Sequence, residues 1–396
     1  MLIVQILFLC CFFYLAYYFA HLLFFTISGL FYKGVPAAGN ENLQARKTLV
    51  LVPAYKEDVV ILQTARQAIE QDYPSDKFEV WVIADSLKQE TIQKLREVPV
   101  RVVEVKFEKS LKSKSLNVAL NQAKGQAFQS VVILDADNLI TPGCLTLFNR
   151  ALHYYQAVQG HRVPKNLTTG TATLDGMTEE INNHIFRKGY RFAGLSSALS
   201  GSGMAFHFDL FTEIMSGVES TVEDRYLEMH LLERKIITHY EDDARVLDEK
   251  VTEVSSMKNQ RSRWIAGHLE ALKLYGKKAP GQLLKGNFDF FMKFIQLTMV
   301  PRSILMALAF LTFVLALITL NPLNIILWIG VMLGIFTSMF FCLPSELRGS
   351  KALKAFASMP GAVFGVLSNG KRWIKTTEFY HTPHGSVAED TEKNNS

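Results

Sequence analysis

Four apolar β-formers, Val131-Val132-Ile133-Leu134, run directly into Asp135-Ala136-Asp137. In an extended chain residues i and i+2 point the same way, so Asp135 and Asp137 can converge on one point. Two carboxylates held together repel each other and invite a hard cation with oxygen ligands, Mg²⁺ or Mn²⁺. Such an ion, bridging a nucleoside diphosphate, would stabilise its departure as a Lewis acid. Further along, Glu223-Asp224 opens a helical stretch. A carboxylate there could take the proton of an attacking hydroxyl. It could equally cap the helix, because Ser220-x-x-Glu223 and Thr221-x-x-Asp224 both fit a capping box. One box is enough, and Ser220 with Glu223 would leave Asp224 free. In Gln260-Arg261-Ser262-Arg263-Trp264, helical spacing puts Gln260, Arg263 and Trp264 on one face. Arg263 can grip diphosphate oxygens in a bidentate way, and Trp264 can form an apolar wall under a sugar.

Other stretches carry weaker signals. Pro53-Ala54-Tyr55-Lys56-Glu57 ends one strand candidate, where Glu57 or Asp58 could cap the next helix. Asp85 ends a second strand candidate; its carboxylate could accept the N–H of a uracil ring, or it or Ser86 could be an N-cap. Lys112 or Lys114 could neutralise diphosphate charge as a point cation. Ser200-Gly201-Ser202-Gly203 supplies the small residues needed where backbone approaches a sugar, or is a tight turn. Asp175-Gly176 reads first as a hairpin turn.

In their order and spacing, LVPAYKED (51–58), VIADS (82–86), KSKSLN (112–117), VVILDADN (131–138), VEDRYLEMH (222–230) and QRSRW (260–264) resemble the membrane-bound family-2 glycosyltransferases. That group includes cellulose, chitin and hyaluronan synthases and ceramide glucosyltransferase. The resemblance covers roughly residues 45–275 and extends more loosely into the C-terminal apolar region. It implies that the turn holding Pro53, Tyr55 and Glu57 cups the base and ribose, and it favours the base-binding role for Asp85. Lys112 to Asn117 match a KxxALN pattern with Ser115 for Ala and Lys114 where Gly is usual. The resemblance also makes Asp224 the base of an ED motif, with Val222 in place of the common Thr. It implies a nucleotide-sugar site of Asp85, Lys112, Lys114, Asp135 and Arg263. Gly201, Ser202, Gly203, Gln260 and Trp264 would face the acceptor, and Asp135 and Asp137 the metal. A Trp373-Ile374-Lys375-Thr376 segment is similar to one that follows the last membrane element in single-domain bacterial members, but Glu378 stands where Arg is usual.

The elements that must hold these residues alternate. Strand candidates at Thr48–Pro53, Phe78–Ala84, Arg101–Phe107, Val131–Asp135 and Ser197–Phe206 are interleaved with helical patterns at Val59–Glu70, Leu111–Ala123 and Asp224–Arg234. The pattern predicts an α/β domain over 45–277, a mostly parallel sheet flanked by helices. The family resemblance makes it GT-A type. Ligands of such sheets bind beyond the carboxyl ends of the strands. No GxGxxG or GxxxxGK[ST] is present, which argues against dinucleotide and P-loop chemistry.

Leu2–Phe31 contains no Asp, Glu, Lys or Arg and is long enough to cross a bilayer uncleaved. Ser303–Leu320 and Leu323–Leu343 are further candidate spans around the turn pair Asn321-Pro322. The organisation predicted is an anchor over 1–32, an interfacial helix over 281–298, two spans within 303–343, an interfacial or re-entrant segment over 351–380, and a disordered tail over 384–396. Lys33, Arg46, Lys47, Arg348, Lys351 and Lys354 flank the spans on one side. The positive-inside rule therefore puts the catalytic domain in the cytosol of a multi-pass inner-membrane protein. A net charge of +5 suits anionic membrane lipids and falls short of a nucleic-acid footprint. The four cysteines form no zinc-like spacing.

The expected reaction is inverting transfer of a hexose or N-acetylhexosamine from a UDP-sugar donor to a lipid-linked sugar, glycolipid or other glycan acceptor. Two alternatives stand beside it. One is a processive synthase that exports its polymer, through a conduit that several copies could jointly build. The other is a catalytically inactive scaffold, against which the intact Asp135, Asp137, Asp224, Arg263 and Trp264 argue.

Overall fold

The computed structural model describes residues 2–34, 43–318, 320–349 and 352. The expected segments at 351–380 and 384–396, with Trp373–Thr376, therefore lie outside the described residues apart from Ala352. An apolar helix, α1 (Leu2–Leu30), opens the chain, and β1 (Thr48–Tyr55), α2 (Ile61–Ile69), β2 (Phe78–Asp85), α3 (Gln89–Arg96), β3 (Arg101–Val105) and α4 (Lys112–Ala123) follow. Next come β4 (Ser130–Ile133), β5 (Leu139–Ile140), α5 (Cys144–Leu152), β6 (Ala157–Pro164) and α6 (Gly170–Asn182). A π-helical stretch, Asn183–Gly189, continues α6 into a short α7 (Tyr190–Phe192). The domain closes with β7 (Met204–His207), α8 (Phe208–Met215), α9 (Glu223–Glu233), β8 (Thr238–Asp248) and the long α10 (Val254–Gly276). Beyond it lie α11 (Ala279–Leu284), α12 (Phe288–Leu297), α13 (Arg302–Ile318) and α14 (Pro322–Phe341).

The strands form one sheet in the order β3-β2-β1-β4-β7-β6-β8-β5. Alternation along the strands explains its two cores. Val50, Val52, Val80, Val82, Val132 and Leu134 turn to the face covered by α2, α3 and α5. Leu49, Leu51, Trp81, Ile83, Val131 and Ile133 turn to the face covered by α4, α8 and α9. Such continuous apolar runs are what a sheet buried on both faces requires. The sheet is mixed. It is parallel from β3 to β4, then antiparallel where β7 joins β4 and β6 and where β5 joins β8.

Register decides what meets at the edge. Tyr55 pairs with Asp85, and Leu51 with Ile133. Because β7 is antiparallel, its first residue, Met204, lies opposite Ile133. The Ser200–Gly203 turn therefore arrives at the same edge as Asp135. That turn also corrects the expected strand Ser197–Phe206: positive φ at Gly201 and Gly203 breaks it, and only Met204–His207 is extended. The hairpin expected at Asp175-Gly176 is helical instead, inside α6. Gly176 is accommodated there because a Cβ would come within 3.2 Å of Pro164 and 3.0 Å of Leu167.

At 29 residues α1 is about 43 Å long, more than the ~30 Å of a hydrocarbon core. It packs against α13 and α14 and also along Asn183–Gly189. Gly189 permits this approach, since a Cβ would lie 2.3 Å from Phe25 O. Leu9–Leu30 and Pro322–Phe341 are long and apolar enough to cross a membrane, whereas the span expected at Ser303–Leu320 is a shorter apolar helix, Ile304–Ile318. On α12, within the interfacial helix expected over 281–298, the charged side chains Asp289 and Lys293 find partners in the domain. Asp289 accepts from Ser196 N at 3.0 Å, and buried Lys293 lies 2.6 Å from Glu228.

Candidate active site

A cavity of about 240 Å³ opens at the carboxyl edge of β1, β2 and β4. Pro53, Tyr55 and Glu57 line it from the end of β1, and Asp85 from the end of β2. Asp85 is buried; Oδ1 accepts from Ser86 Oγ at 3.0 Å, and Oδ2 has no hydrogen-bond partner. It does not cap α3, whose N-cap is Lys88. Asp58 serves that end, accepting from Lys88 N at 2.8 Å and Thr91 Oγ1 at 2.6 Å. A buried carboxylate oxygen without a donor is costly, so a ligand N–H at this point would relieve it.

Asp135 and Asp137 wall the cavity just beyond β4, in a turn rather than in strand. The turn is braced from beneath. Asp135 N donates to Ser202 Oγ at 2.9 Å, Ser202 Oγ donates to Asn138 Oδ1 at 2.6 Å, and Asn138 Nδ2 donates to Asp248 Oδ1 at 2.9 Å. Arg162 and Lys250 both pair with Asp248, whose carboxyl they hold below its ordinary pKa against the effect of burial. Gln159 holds the neighbouring turn, accepting from Ser200 N at 2.9 Å and donating to Ser202 O at 3.0 Å. The expected acceptor role of Ser202 and Gly203 is therefore corrected. Ser202 is fully buried in this brace, and a Cβ at Gly203 would lie 2.7 Å from Val246 Cγ2. Only Gly201 of the three lines the cavity.

The two lysines also separate. Lys112, the first residue of α4, donates to Asp135 Oδ1 and to Gly201 O (2.6 Å), and its Nζ lies 3.6 Å from Glu223 Oε1. Burial works against its charge, but Asp135, Glu223 and Asp224 outweigh burial and raise its pKa. Lys114, two residues on, lies 3.6 Å from Glu219 and lines a different depression with Asn117 and Asn121. The expectation that Lys114 reaches the donor is not met: residues two apart on a helix face apart.

Neither capping box forms. Val222 is the N-cap of α9 without a side-chain bond, while Ser220 Oγ accepts from Val222 N at 3.1 Å. Asp224 instead walls the cavity, and its Oδ1 accepts from Arg225 N at 2.8 Å. A methyl group at Gly201 would stand 3.9 Å from both Asp224 Oδ2 and Lys112 Nζ, so these groups flank one small space. Burial, together with Asp224 and Asp135, raises the Glu223 pKa against the opposing charge of Lys112. From α10, Gln260, Arg263 and Trp264 all reach this cavity. Gln260 Oε1 is buried without a hydrogen-bond partner, Trp264 is 45 % exposed, and burial lowers the Arg263 pKa against Glu223, Asp135 and Asp224.

Arg162, Asp248, Lys250, Asp175 and Glu179 also line the cavity, and none was singled out as a site residue from the sequence. The only hint of them was the charged run Asp248-Glu249-Lys250. Glu179 is held at a pKa of about 2; burial opposes this, and Arg187, Arg162 and Lys250 prevail.

Residues 45–267 match the sequence profile described as glycosyltransferase like family 2. Over 232 residues the chain is 25% identical to a beta-monoglucosyldiacylglycerol synthase of Trichormus variabilis, covering 55% of this chain and 48% of that protein. The chain thus spans about half the length of that curated relative. Its structure is similar to that of a mannosyltransferase from Pyrobaculum calidifontis in complex with GDP-Man and Mn²⁺, with a TM-score of 0.58 and 16% identity. That match covers 91% of this chain and 98% of the other, and the likeness is one of GT-A-like fold.

Proposed function

The chain belongs to the glycosyltransferase-like family 2, and on that premise we propose that it moves a hexose or N-acetylhexosamine from a UDP-sugar, with inversion, to a lipid-linked sugar or glycolipid. The observation that carries this reading is the convergence of Asp85, Lys112, Asp135, Asp137, Asp224 and Arg263 on one cavity. Asp85 Oδ2 accepts the uracil N–H, and Tyr55 with Pro53 and Glu57 borders the nucleoside. Lys112 and Arg263 bind the diphosphate, one as a point charge and the other through a planar fork. The acceptor hydroxyl attacks the anomeric carbon as the bond to the diphosphate oxygen breaks. Its proton passes to Asp224 and the bonding pair leaves with UDP. Trp264, Gln260 and Gly201 border the acceptor.

Asp135 and Asp137 fit Mg²⁺ or Mn²⁺. Among the described residues no cluster of three or more His, Cys, Asp or Glu could hold an ion alone. Two carboxylates completed by water and substrate phosphates are the usual mode for Mg²⁺. When bound, the ion supplies Lewis-acid stabilisation to the leaving diphosphate. The apolar helices α1, α13 and α14 anchor the domain at the cytoplasmic face of a membrane, beside a lipid-borne acceptor. Release of UDP from a panel of UDP-sugars by the solubilised protein tests the reading. We expect turnover with at least one donor, lost in EDTA and in Asp137→Asn; full activity in excess EDTA would remove the metal.

A further inference from the structure

A second groove, of about 320 Å³, adjoins the catalytic cavity and shares Asp224, Trp264 and Ser200 with it. Its size is at the low end of ligand pockets, roughly 300–1,000 Å³. From Asp224 it runs to the membrane-side helices, ending at Tyr18 of α1 and at Met299, Val300 and Pro301 between α12 and α13. Tyr18 pins that end, donating to Val300 O at 2.9 Å. The groove therefore joins the attacking-hydroxyl side of the site to apolar helices.

Its charges are unevenly matched. Arg162, Arg187 and Arg225 each face a carboxylate: Asp248, Glu179 at 2.9 Å and Glu228 at 3.3 Å. Arg302 instead donates to neutral acceptors, Thr178 O at 3.1 Å and Asn182 Oδ1 at 2.8 Å. Arg261 Nη2 is buried with no hydrogen-bond partner. Burial lowers the Arg261 pKa, and Asp175 is the carboxylate that opposes this. His268 is held near a pKa of 4, chiefly by burial, and is neutral at pH 7. Gln296 Oε1, also lining the groove, is buried without a donor. Arg261 and Arg302 thus line the groove with no carboxylate at salt-bridge distance, and so does a buried amide oxygen without a donor; an anion that also carries a hydroxyl would satisfy all three.

We propose that this groove binds the acceptor lipid through a phosphate group, with Arg261 and Arg302 as its cationic ligands and Gln296 accepting a headgroup hydroxyl. The inference rests on the transferase reading and deepens it, because it makes the lipid that carries the acceptor a phosphate-bearing one rather than a neutral glyceride. Basic pockets between apolar helices on a cytoplasmic face are a recognised way to hold such headgroups. The phosphate lies on the membrane side of Asp224, leaving the hydroxyl to be glycosylated toward the donor.

The test uses the full chain in a neutral detergent and three probes: dioctanoyl phosphatidylglycerol, dioctanoylglycerol and glycerol phosphate, each titrated calorimetrically. The phosphatidylglycerol should bind about tenfold or more tighter than either other probe, the scale of one charge-assisted hydrogen bond. Arg261→Gln and Arg302→Gln should each erase that difference, while Arg348→Gln, an exposed cation beyond α14, should not. The wild-type comparison stands even if a variant fails to fold, and UDP affinity reports folding in each. Equal affinity for phosphatidylglycerol and dioctanoylglycerol would overturn the proposal. So would glycerol phosphate binding as tightly as the lipid, or displacement of the lipid by UDP. Absence of UDP release from every UDP-sugar would instead overturn the transferase reading on its own.

Discussion

At the scale of single residues, the roles proposed for Asp224 and Asp85 are separable because they would act on different partners. Asp224 flanks the small space beside Gly201 and Lys112, on the side where the second groove opens. A base acts on the acceptor as the bond forms, so Asp224→Asn should cut kcat by on the order of 10²–10⁴-fold with UDP affinity nearly unchanged. Loss of UDP affinity in step with rate, measured by titration, would make Asp224 a structural residue. Asp85→Asn should do the reverse. Its buried Oδ2 has no internal donor, so an amide N–H₂ facing the uracil N–H would weaken UDP binding about tenfold or more. Unchanged UDP affinity would place the base elsewhere. Such residues were legible because each ends a strand or opens a helix in a motif of fixed spacing. Lys114, Ser202 and Gly203 were misread because spacing does not say which way a side chain turns. Two residues beyond Lys112, Lys114 turns away to Glu219, and the positive-φ turn buries Ser202 under Asp135.

At the scale of elements, the parallel half of the sheet was legible and the other half was not. β1, β2 and β4 are continuous apolar runs, the signature of burial on both faces. β8 carries Glu241-Asp242-Asp243 in mid-strand, and β6 contains Gly160, His161 and Arg162; neither was among the strand candidates. They are strands because their charges are paired in the fold. Glu241 lies 3.1 Å from Arg150, and His161, at the bulge after Gly160, lies between Glu180 (3.2 Å) and Asp242 (3.1 Å). Lys188 holds the far oxygen of Asp242 at 2.7 Å. Burial disfavours the charged His161, but its hydrogen bonds to Asp242 and Glu180 prevail and raise its pKa from 6.5 to about 9. A raised folded-state pKa stabilises fully below the unfolded value and is lost as pH rises through the folded one. Between pH 6.5 and about 9 the unfolding midpoint of the wild type should therefore fall more steeply than that of His161→Gln. Parallel melting curves across that window would show that His161 is not charged in the fold.

At the scale of the whole molecule, the cavity at the sheet edge shares lining residues with the second groove, which reaches Tyr18 of α1 and Arg302 of α13. Leu15, Tyr18, Leu22 and Phe25 of α1 share a core with Leu174, Ile181 and Tyr190 of the domain and with Leu305, Trp328 and Ile335 of α13 and α14. The sequence indicated the apolar segments by length and lack of charge, but not that α1 would dock along Asn183–Gly189, since that depends on the absence of a side chain at Gly189. A polar glycan cannot cross hydrocarbon without a lined path. Helices gathered into one core with the domain suit an anchor beside a lipid acceptor, so one sugar should be added per binding event. The most direct test supplies purified protein with a radiolabelled UDP-sugar, a divalent metal and a membrane lipid extract, then partitions the products between butanol and water. The account predicts label in the organic phase, on a lipid carrying a single added sugar, and none when EDTA is present. A water-soluble polymer made from the UDP-sugar alone, or no transfer from any UDP-sugar, would contradict it.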